Sequence, residues 1–116
     1  MKKSIIQEKS FQFAIYVVRC CQNLQSWNEF VLSKQLLRSG TSIGANAREA
    51  SQASSKKDFI YKMSIALKEA VETQYWIELL KETDYLAEKE ADSLHADCTE
   101  LCKILSTIVK SAKSNA

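Results

Sequence analysis

The sequence predicts an all-α protein, an antiparallel up-down-up-down four-helix bundle formed by a single domain of 116 residues. Proline is absent and there are only two glycines, whereas a β-rich chain of this size needs many turn-forming residues. Good helix formers (alanine, leucine, lysine, glutamate and glutamine) are abundant. Apolar residues also recur at alternating three- and four-residue steps in four successive stretches, which places them on one face of each helix.

The four stretches predict helices at about residues 6–26, 28–53, 56–82 and 86–112. The connections between them are short, and short connections make neighbouring helices antiparallel. The predicted core positions are, helix by helix, Ile6, Ser10, Phe13, Val17, Cys20, Leu24 and Trp27; Leu32, Leu36, Ser39, Ile43, Asn46, Ala50 and Ala53; Phe59, Met63, Ala66, Ala70, Thr73, Ile77 and Leu80; and Ala91, Leu94, Cys98, Leu101, Leu105, Ile108 and Ala112.

Residues that can cap a helix occur at each predicted break. Ser55 precedes Asp58 by three residues, a pattern close to a capping box. The candidate caps are Ser26 or Asn28 for the second helix, Ser54 or Ser55 for the third, and Thr83 or Asp84 for the connection to the fourth.

The segment 38–50 is ambiguous because it contains both glycines, Gly40 and Gly44, together with several hydroxyl residues. Each glycine costs a helix about 1 kcal/mol relative to alanine, so a loop is one interpretation. The apolar stripe nevertheless continues through the segment, and glycines four residues apart lie on the same side of a helix. We therefore predict an unbroken helix whose glycines allow close approach of another backbone, within the bundle or between subunits.

No constellation of residues indicates catalysis. The chain has one histidine, His95, and lacks both a phosphate-binding glycine loop and the Glu-x-x-His pattern of di-iron bundles. We predict that the protein is not an enzyme, has no cofactor and binds no metal.

A metal site is the alternative for the cysteines. His95, Cys98 and Cys102 follow one another at helical spacing, and Cys20 or Cys21 of the first helix could add a fourth zinc ligand. However, reduced cysteines at core positions behave as small apolar residues, and an antiparallel arrangement separates Cys20 from Cys98 by roughly 9 Å along the bundle. Ordinary packing is therefore the favoured interpretation.

Charge is distributed unevenly along the chain. Residues 1–57 carry nine Lys/Arg and three acids, whereas residues 58–116 carry seven Lys and eleven acids. Counting 100° per residue, basic residues form a stripe on the second helix, which two lysines extend at its end. A stripe of this kind can follow a phosphate backbone, pair with another subunit, or be an ordinary solvated face. Its members are Lys34, Arg38, Arg48, Lys56 and Lys57.

Asn46 is predicted on the core side of the second helix, where its amide needs a hydrogen-bond partner. It would fix the helix register, as a buried asparagine does in coiled coils, or contact a ligand or another subunit. Glu69 is a candidate partner for Asn46 or Arg38. Gly40, Gly44, Asn46, Glu49 and Glu69 together are the predicted structural or oligomer contacts.

The sequence contains no apolar run of transmembrane length and no signal-peptide pattern near its N-terminus. We therefore expect a cytoplasmic protein that does not enter a membrane and whose cysteines are reduced.

Three segments resemble a known family: Gln35–Ala50, Lys57–Ala70 and Glu72–Leu80. They are similar to bacterial four-helix-bundle proteins first noticed as reading frames inside intervening sequences of 23S rRNA genes. The likeness extends over nearly the whole chain. Ala50 departs from the family pattern, in which glycine is common, and this leaves the fold unaffected. The most specific part of the pattern consists of Arg38, Ser39, Ser42, Ile43, Asn46 and Glu49.

The resemblance implies a homopentamer of up-down bundles with no enzymatic activity. A related branch, the accessory variability proteins of diversity-generating retroelements, comprises more basic pentamers that bind a reverse transcriptase and RNA. The leading hypothesis is a non-enzymatic oligomer that binds RNA or a nucleoprotein partner through the stripe on the second helix. The alternative is a structural scaffold for protein interactions that binds no nucleic acid.

Overall fold

A computed structural model describes residues 4–115. It confirms the all-α four-helix bundle, with α1 at Ile5–Ser26, α2 at Val31–Ala50, α3 at Lys56–Glu82 and α4 at Glu88–Ser114. The second helix is shorter than predicted at both ends, and the fourth is displaced by two residues. The bundle measures 47 × 23 × 21 Å.

Side-chain contacts show how the helices are paired. Between α2 and α3, Arg38 contacts Glu69 whereas Glu49 contacts Lys62, so one residue number rises as the other falls. The same reversal relates α3 to α4, since Lys81 pairs with Asp92 and Cys98 reaches the carbonyl of Ala70. Each helix packs against two neighbours: α1 and α3 both contact α2 and α4. Successive helices therefore run antiparallel, and α1 lies diagonally opposite α3.

Most predicted core positions are buried, and the exceptions lie near helix ends or on α2. Trp27 follows the last residue of α1, and 77% of its surface is exposed. The interpretation of Asn46 as a core residue is wrong. Ala47 occupies the core position instead, while Asn46 is half-buried and donates a hydrogen bond to the carbonyl of Ser42 in its own helix, at 2.9 Å. The residue that follows Ile43 on the core side of α2 is thus four positions further on. Three residues turn a helix by only about 300°, short of a full turn, which leaves Asn46 off the core side.

The helix through segment 38–50 is continuous, which confirms the prediction for Gly40 and Gly44. Both glycines face α1. A Cβ atom added to Gly40 would lie 2.9 Å from a methyl carbon of Val17, and one added to Gly44 would lie 3.3 Å from the Ser10 hydroxyl oxygen. The glycines are thus a packing contact within one chain, and they allow α1 and α2 to approach closely.

The helix ends use chemistry that was only partly predicted. Ser55 caps α3 as expected by accepting a hydrogen bond from the amide of Asp58 at 3.0 Å. Neither Ser26 nor Asn28 caps α2. Glu29 does so instead: it is buried, and its carboxylate accepts from the amides of Leu32 and Ser33 at 3.1 and 2.6 Å.

The two tight turns at this end of the bundle are formed without glycine. Asn28 after α1 and Asp84 after α3 both have a φ of 66°, the left-handed conformation that asparagine and aspartate tolerate. The amide of the next residue then reaches back to the helix, from Glu29 to the Leu24 carbonyl and from Tyr85 to the Leu80 carbonyl. This is the hydrogen bond of a Schellman motif. Asp84 therefore ends α3, and Ala87 is the residue that precedes α4.

We predict that Gly40→Ala lowers the free energy of unfolding by about 1–2 kcal/mol, although alanine is the better helix former. The added methyl group meets Val17, which is fully buried and stiff at χ1, so overpacking outweighs the gain in helix propensity. Gly44→Ala is the matched control, because its methyl group meets looser contacts and its effect should lie within about 0.5 kcal/mol of zero. Urea denaturation measures both; equal effects would contradict the proposed contact.

Candidate nucleic-acid interface

The basic stripe predicted on α2 does not form one surface. Lys34 is exposed. Arg38 instead reaches across to α3, where its guanidinium contacts Glu69 at 3.2 Å and also Glu72. Two carboxylates therefore oppose the charge of Arg38, which confirms Glu69 as its partner and leaves little of that charge for a phosphate group.

Arg48 lies on the other flank of α2. Its guanidinium carbon lies 5.6 Å from the centre of the Phe11 ring, so it leans toward α1 in a cation–π contact. Glu49, beside it, pairs with Lys62 of α3 at 2.8 Å. Arg38 and Arg48 thus point toward opposite neighbouring helices, and the helical projection that placed them on one line does not describe their side chains.

The remaining two members of the stripe lie where α3 begins. Lys56 donates a hydrogen bond to the carbonyl of Asn115, just beyond the end of α4, and Lys57 is exposed. This contact places the start of α3 beside the end of α4. Two lysines near the end of α4, Lys110 and Lys113, are also exposed and belong to the same end of the bundle.

Charge is strongly segregated between the two ends of the bundle. When each helix is divided at its midpoint, the half that holds the start of α1 and the end of α4 carries nine Lys/Arg and three acids within residues 4–115, a net charge of +6. The opposite half carries five Lys/Arg and eleven acids, a net charge of −6. The basic residues of the first half are Lys9, Arg48, Lys56, Lys57, Lys62, Lys68, Lys103, Lys110 and Lys113.

We call these two halves the basic half and the acidic half. The structure assigns Arg48, Lys56 and Lys57 of the predicted stripe to the basic half, and Lys34 and Arg38 to the acidic half. The lysines of α4 were missed because the second half of the sequence is acidic overall. The available signal was that these lysines lie toward the C-terminal end of the last helix. Antiparallel packing brings that end beside the start of α3, where Lys56 and Lys57 lie.

Near His95, three side chains are arranged in the order of a hydrolytic triad. Its Nε2 lies 2.8 Å from a carboxylate oxygen of Glu78, and its Nδ1 lies 3.5 Å from the hydroxyl of Thr99. That last distance exceeds a good hydrogen bond, and the Thr99 hydroxyl already accepts from Gln74 at 2.9 Å. All four side chains lie on the adjacent surfaces of α3 and α4. We interpret them as a polar bridge between the two helices.

The thiols are part of the core. Within residues 4–115, no group of three potential ligands lies close enough to hold a metal ion. The Cys21 thiol donates to the carbonyl of Ser33 at 3.3 Å. Burial raises the pKa of the Cys20 thiol to about 12 and that of Cys21 to about 11, aided by Glu90 and Glu29 respectively. Both thiols are therefore protonated at neutral pH.

The pair on α4 behaves differently. Pairing with Cys102 and burial raise the pKa of Cys98, whose thiol donates to the carbonyl of Ala70 at 3.2 Å, and the same pairing lowers the pKa of Cys102. Cys102 is also the cysteine that is not fully buried. Cys102 is thus the cysteine that forms thiolate, the reactive form, most readily.

Within residues 4–115, no helix is long and apolar enough to cross a membrane. The fold and surface define a class: a four-helix bundle with its charge separated between two ends. The family model for the 23S rRNA-intervening sequence protein matches residues 2–107, and the chain belongs to that family.

A solved structure of a member of the S23 ribosomal protein family from Bacteroides thetaiotaomicron, a protein of unknown function, is similar to this chain. The two share 51% sequence identity over 91% of this chain and 99% of the other, with a TM-score of 0.89. No curated protein matches.

We predict that one thiol, Cys102, reacts rapidly with iodoacetamide in the native protein at about pH 8. Its lowered pKa supplies more thiolate at a given pH, whereas the raised values of the other three keep them protonated. Mass spectrometry of timed aliquots measures the modification. Cys102→Ser should remove the fast phase, and rapid labelling of Cys20 or Cys21 would contradict the assignment.

Proposed function

We propose that this protein is a non-enzymatic, oligomeric helical bundle that binds RNA, alone or within a nucleoprotein, through its basic half. The observation that carries the proposal is the segregation of charge: residues 4–115 have a net charge of zero, yet one half of the bundle carries +6. A phosphate backbone responds to local charge within about 10 Å at ordinary ionic strength, so the distant acidic half does not cancel the attraction.

The arrangement of the lysines suits a flexible polyanion. Lys57, Lys110 and Lys113 are exposed around the end of the bundle, and Lys68 and Lys103 are exposed near its middle. Lysine is a mobile point charge that contacts phosphate without fixing a base sequence. We therefore expect binding that depends steeply on salt and weakly on sequence. RNA is the polyanion that we propose, because the related branch named in the sequence analysis binds RNA.

The first test is a pair of charge reversals with the same change in net charge. Lys56→Glu/Lys57→Glu, in the basic half, should weaken binding to a mixed-sequence RNA at least tenfold and lower the slope of log affinity against log salt by about 1–2. Lys34→Glu/Lys89→Glu, at two exposed lysines of the acidic half, should change affinity less than about threefold. Fluorescence anisotropy at several salt concentrations measures both.

Circular dichroism should show that the wild type and both double variants fold alike. Equal losses of RNA affinity in the two double variants would show that the basic half is not the binding surface. If the wild-type protein does not bind RNA at low salt, RNA binding is contradicted. The alternative function, a scaffold for protein interactions that binds no nucleic acid, would then be favoured.

Self-association, the second part of the proposal, rests on two exposed apolar faces. The outward face of α1 carries the exposed Phe11 and Val18 and the half-buried Ile15, which together border a groove of about 480 Å³. Phe11 also borders a second groove of about 390 Å³ beside Ala45 of α2. The outward face of α3 carries Tyr61, Val71 and Tyr75, all of them exposed.

These faces differ from each other and lie on diagonally opposite helices. A contact between the α1 face of one copy and the α3 face of the next is heterologous, and such contacts close into rings when the rotation permits. The pentamer implied by the sequence resemblance is a ring of this kind. Pentamer formation therefore belongs to the proposal, with the two faces as its subunit contacts.

We predict a solution mass near five times 13.1 kDa by light scattering in about 0.5 M salt, where apolar contacts persist. Val71→Glu/Tyr75→Glu should lower that mass to a single chain, because it places charges in the contact. Ser106→Glu/Thr107→Glu, at exposed positions of α4, is the matched control and should leave the mass unchanged. A wild-type monomer at high concentration would contradict ring formation.

A further inference from the structure

The end of the acidic half presents a rigid apolar patch. It consists of Trp27, Phe30 and Val31, at the turn between α1 and α2, with 77%, 56% and 74% of their surfaces exposed. Large apolar side chains gathered at one exposed turn are unusual on a surface, and tryptophan is enriched among residues that dominate binding energy.

The turn is held in one conformation. Asn28 adopts its left-handed conformation, and the buried Glu29 binds the first amides of α2 through its carboxylate. The hydroxyl of Ser33 also donates to the carbonyl of Glu29 at 2.8 Å. The patch is therefore preorganised, so a partner that binds it loses little conformational entropy in ordering this turn.

Carboxylates surround this end. The neighbouring turn between α3 and α4 contributes Glu82, Asp84 and Glu88, all of them exposed. Lys81 is engaged with Asp92 at 2.8 Å, and with the exposed Lys34 and Lys89 included this half still carries −6. A partner for the patch must consequently be basic, with lysine or arginine side chains that can lie on aromatic rings.

We infer that this end docks the basic end of a second copy of the chain. Both surfaces are ends of the same bundle, with a cross-section of 23 × 21 Å, and their halves carry −6 and +6. Lys57, Lys110 and Lys113 of one copy would meet the carboxylates and aromatic rings of the next. The contact is heterologous and joins opposite ends of an elongated bundle, so copies add end to end.

The size of the contact sets its strength. A cross-section of 23 × 21 Å offers roughly 480 Å² per partner, below the roughly 800 Å² of a standard stable interface. End-to-end association should therefore be weak, dependent on concentration and sensitive to salt. It differs from the lateral contacts of the proposed ring, which are apolar, and it does not depend on RNA binding.

Sedimentation velocity of the full chain at about 20 and about 500 mM NaCl tests this inference. At low salt, the weight-average mass should rise continuously with protein concentration. At high salt, where the screening length falls to about 4 Å, the mass should return to that of the basic unit, whether this is one chain or a ring. A mass independent of concentration at low salt, or one that stops at twice the basic unit, would overturn the inference.

Two complementary variants identify the surfaces. Lys56→Glu/Lys57→Glu removes the basic end and Glu82→Lys/Glu88→Lys removes the acidic end, so neither variant should associate on its own. An equimolar mixture should associate again, because each variant retains the surface that the other lacks. Failure of the mixture to associate would overturn the end-to-end contact.

The apolar patch and the net charge are tested separately. Trp27→Ala changes no charge and should weaken association at least threefold; unchanged association would remove the patch from the contact. Lys68→Glu/Lys103→Glu reverses two exposed charges near the middle of the bundle and should leave association within about twofold of wild type. An equal loss in this control would show that net charge alone is responsible.

Discussion

Antiparallel packing of four helices decides which side chains share an end of this molecule. The start of α3 lies beside the end of α4, as the contact between Lys56 and the Asn115 carbonyl shows, and both lie far from the two turns that hold Asn28 and Asp84. Along α3 the charge changes from basic to acidic, and along α4 it changes from acidic to basic. Because the two helices are antiparallel, their basic ends lie side by side, and so do their acidic ends. The result is a molecule with a small net charge and two strongly charged ends.

Small residues make this packing possible and also determine the surface. Gly40 and Gly44 bring α2 against α1, and Ala66 and Ala70 of α3 are completely buried. Interior positions filled by small side chains allow close backbones but use few aromatic residues. Other large apolar side chains lie outside, at Phe11 and Val18 on α1 and at Tyr61, Val71 and Tyr75 on α3, where they are available to another chain.

The sequence predicts the number and order of the helices because the apolar period is regular and the interruptions are short. The glycine segment was predictable for the same reason: its stripe continues despite poor local propensity, and tertiary packing decides in favour of the helix. Glu29 as a cap was not predictable from preference, since the favoured capping residues do not include glutamate and act from the residue directly before the helix, which is Phe30 here. Its burial depends on Asn28 turning the chain inward.

The candidate site was predicted less well than the fold. A helical projection gives the direction of a Cα–Cβ bond, whereas Arg38 and Arg48 have long side chains that follow nearby partners, Glu72 and Phe11. The assignment of Asn46 failed because a three- or four-residue step fits the sequence equally well at that position. The basic half is recognised only when the charges of the helix ends that meet in the antiparallel bundle are added together, whereas the sequence analysis summed charge along the chain.

The central claim is that charge is separated between the two halves and that the basic half binds RNA. Lysine footprinting tests this claim most directly. The protein would be acetylated briefly with and without a mixed RNA at low salt, and modification at each lysine quantified by mass spectrometry. We expect RNA to protect Lys57, Lys110 and Lys113 while Lys34 and Lys89 are modified at unchanged rates. Uniform protection of all five lysines, or protection confined to Lys34 and Lys89, would contradict the account.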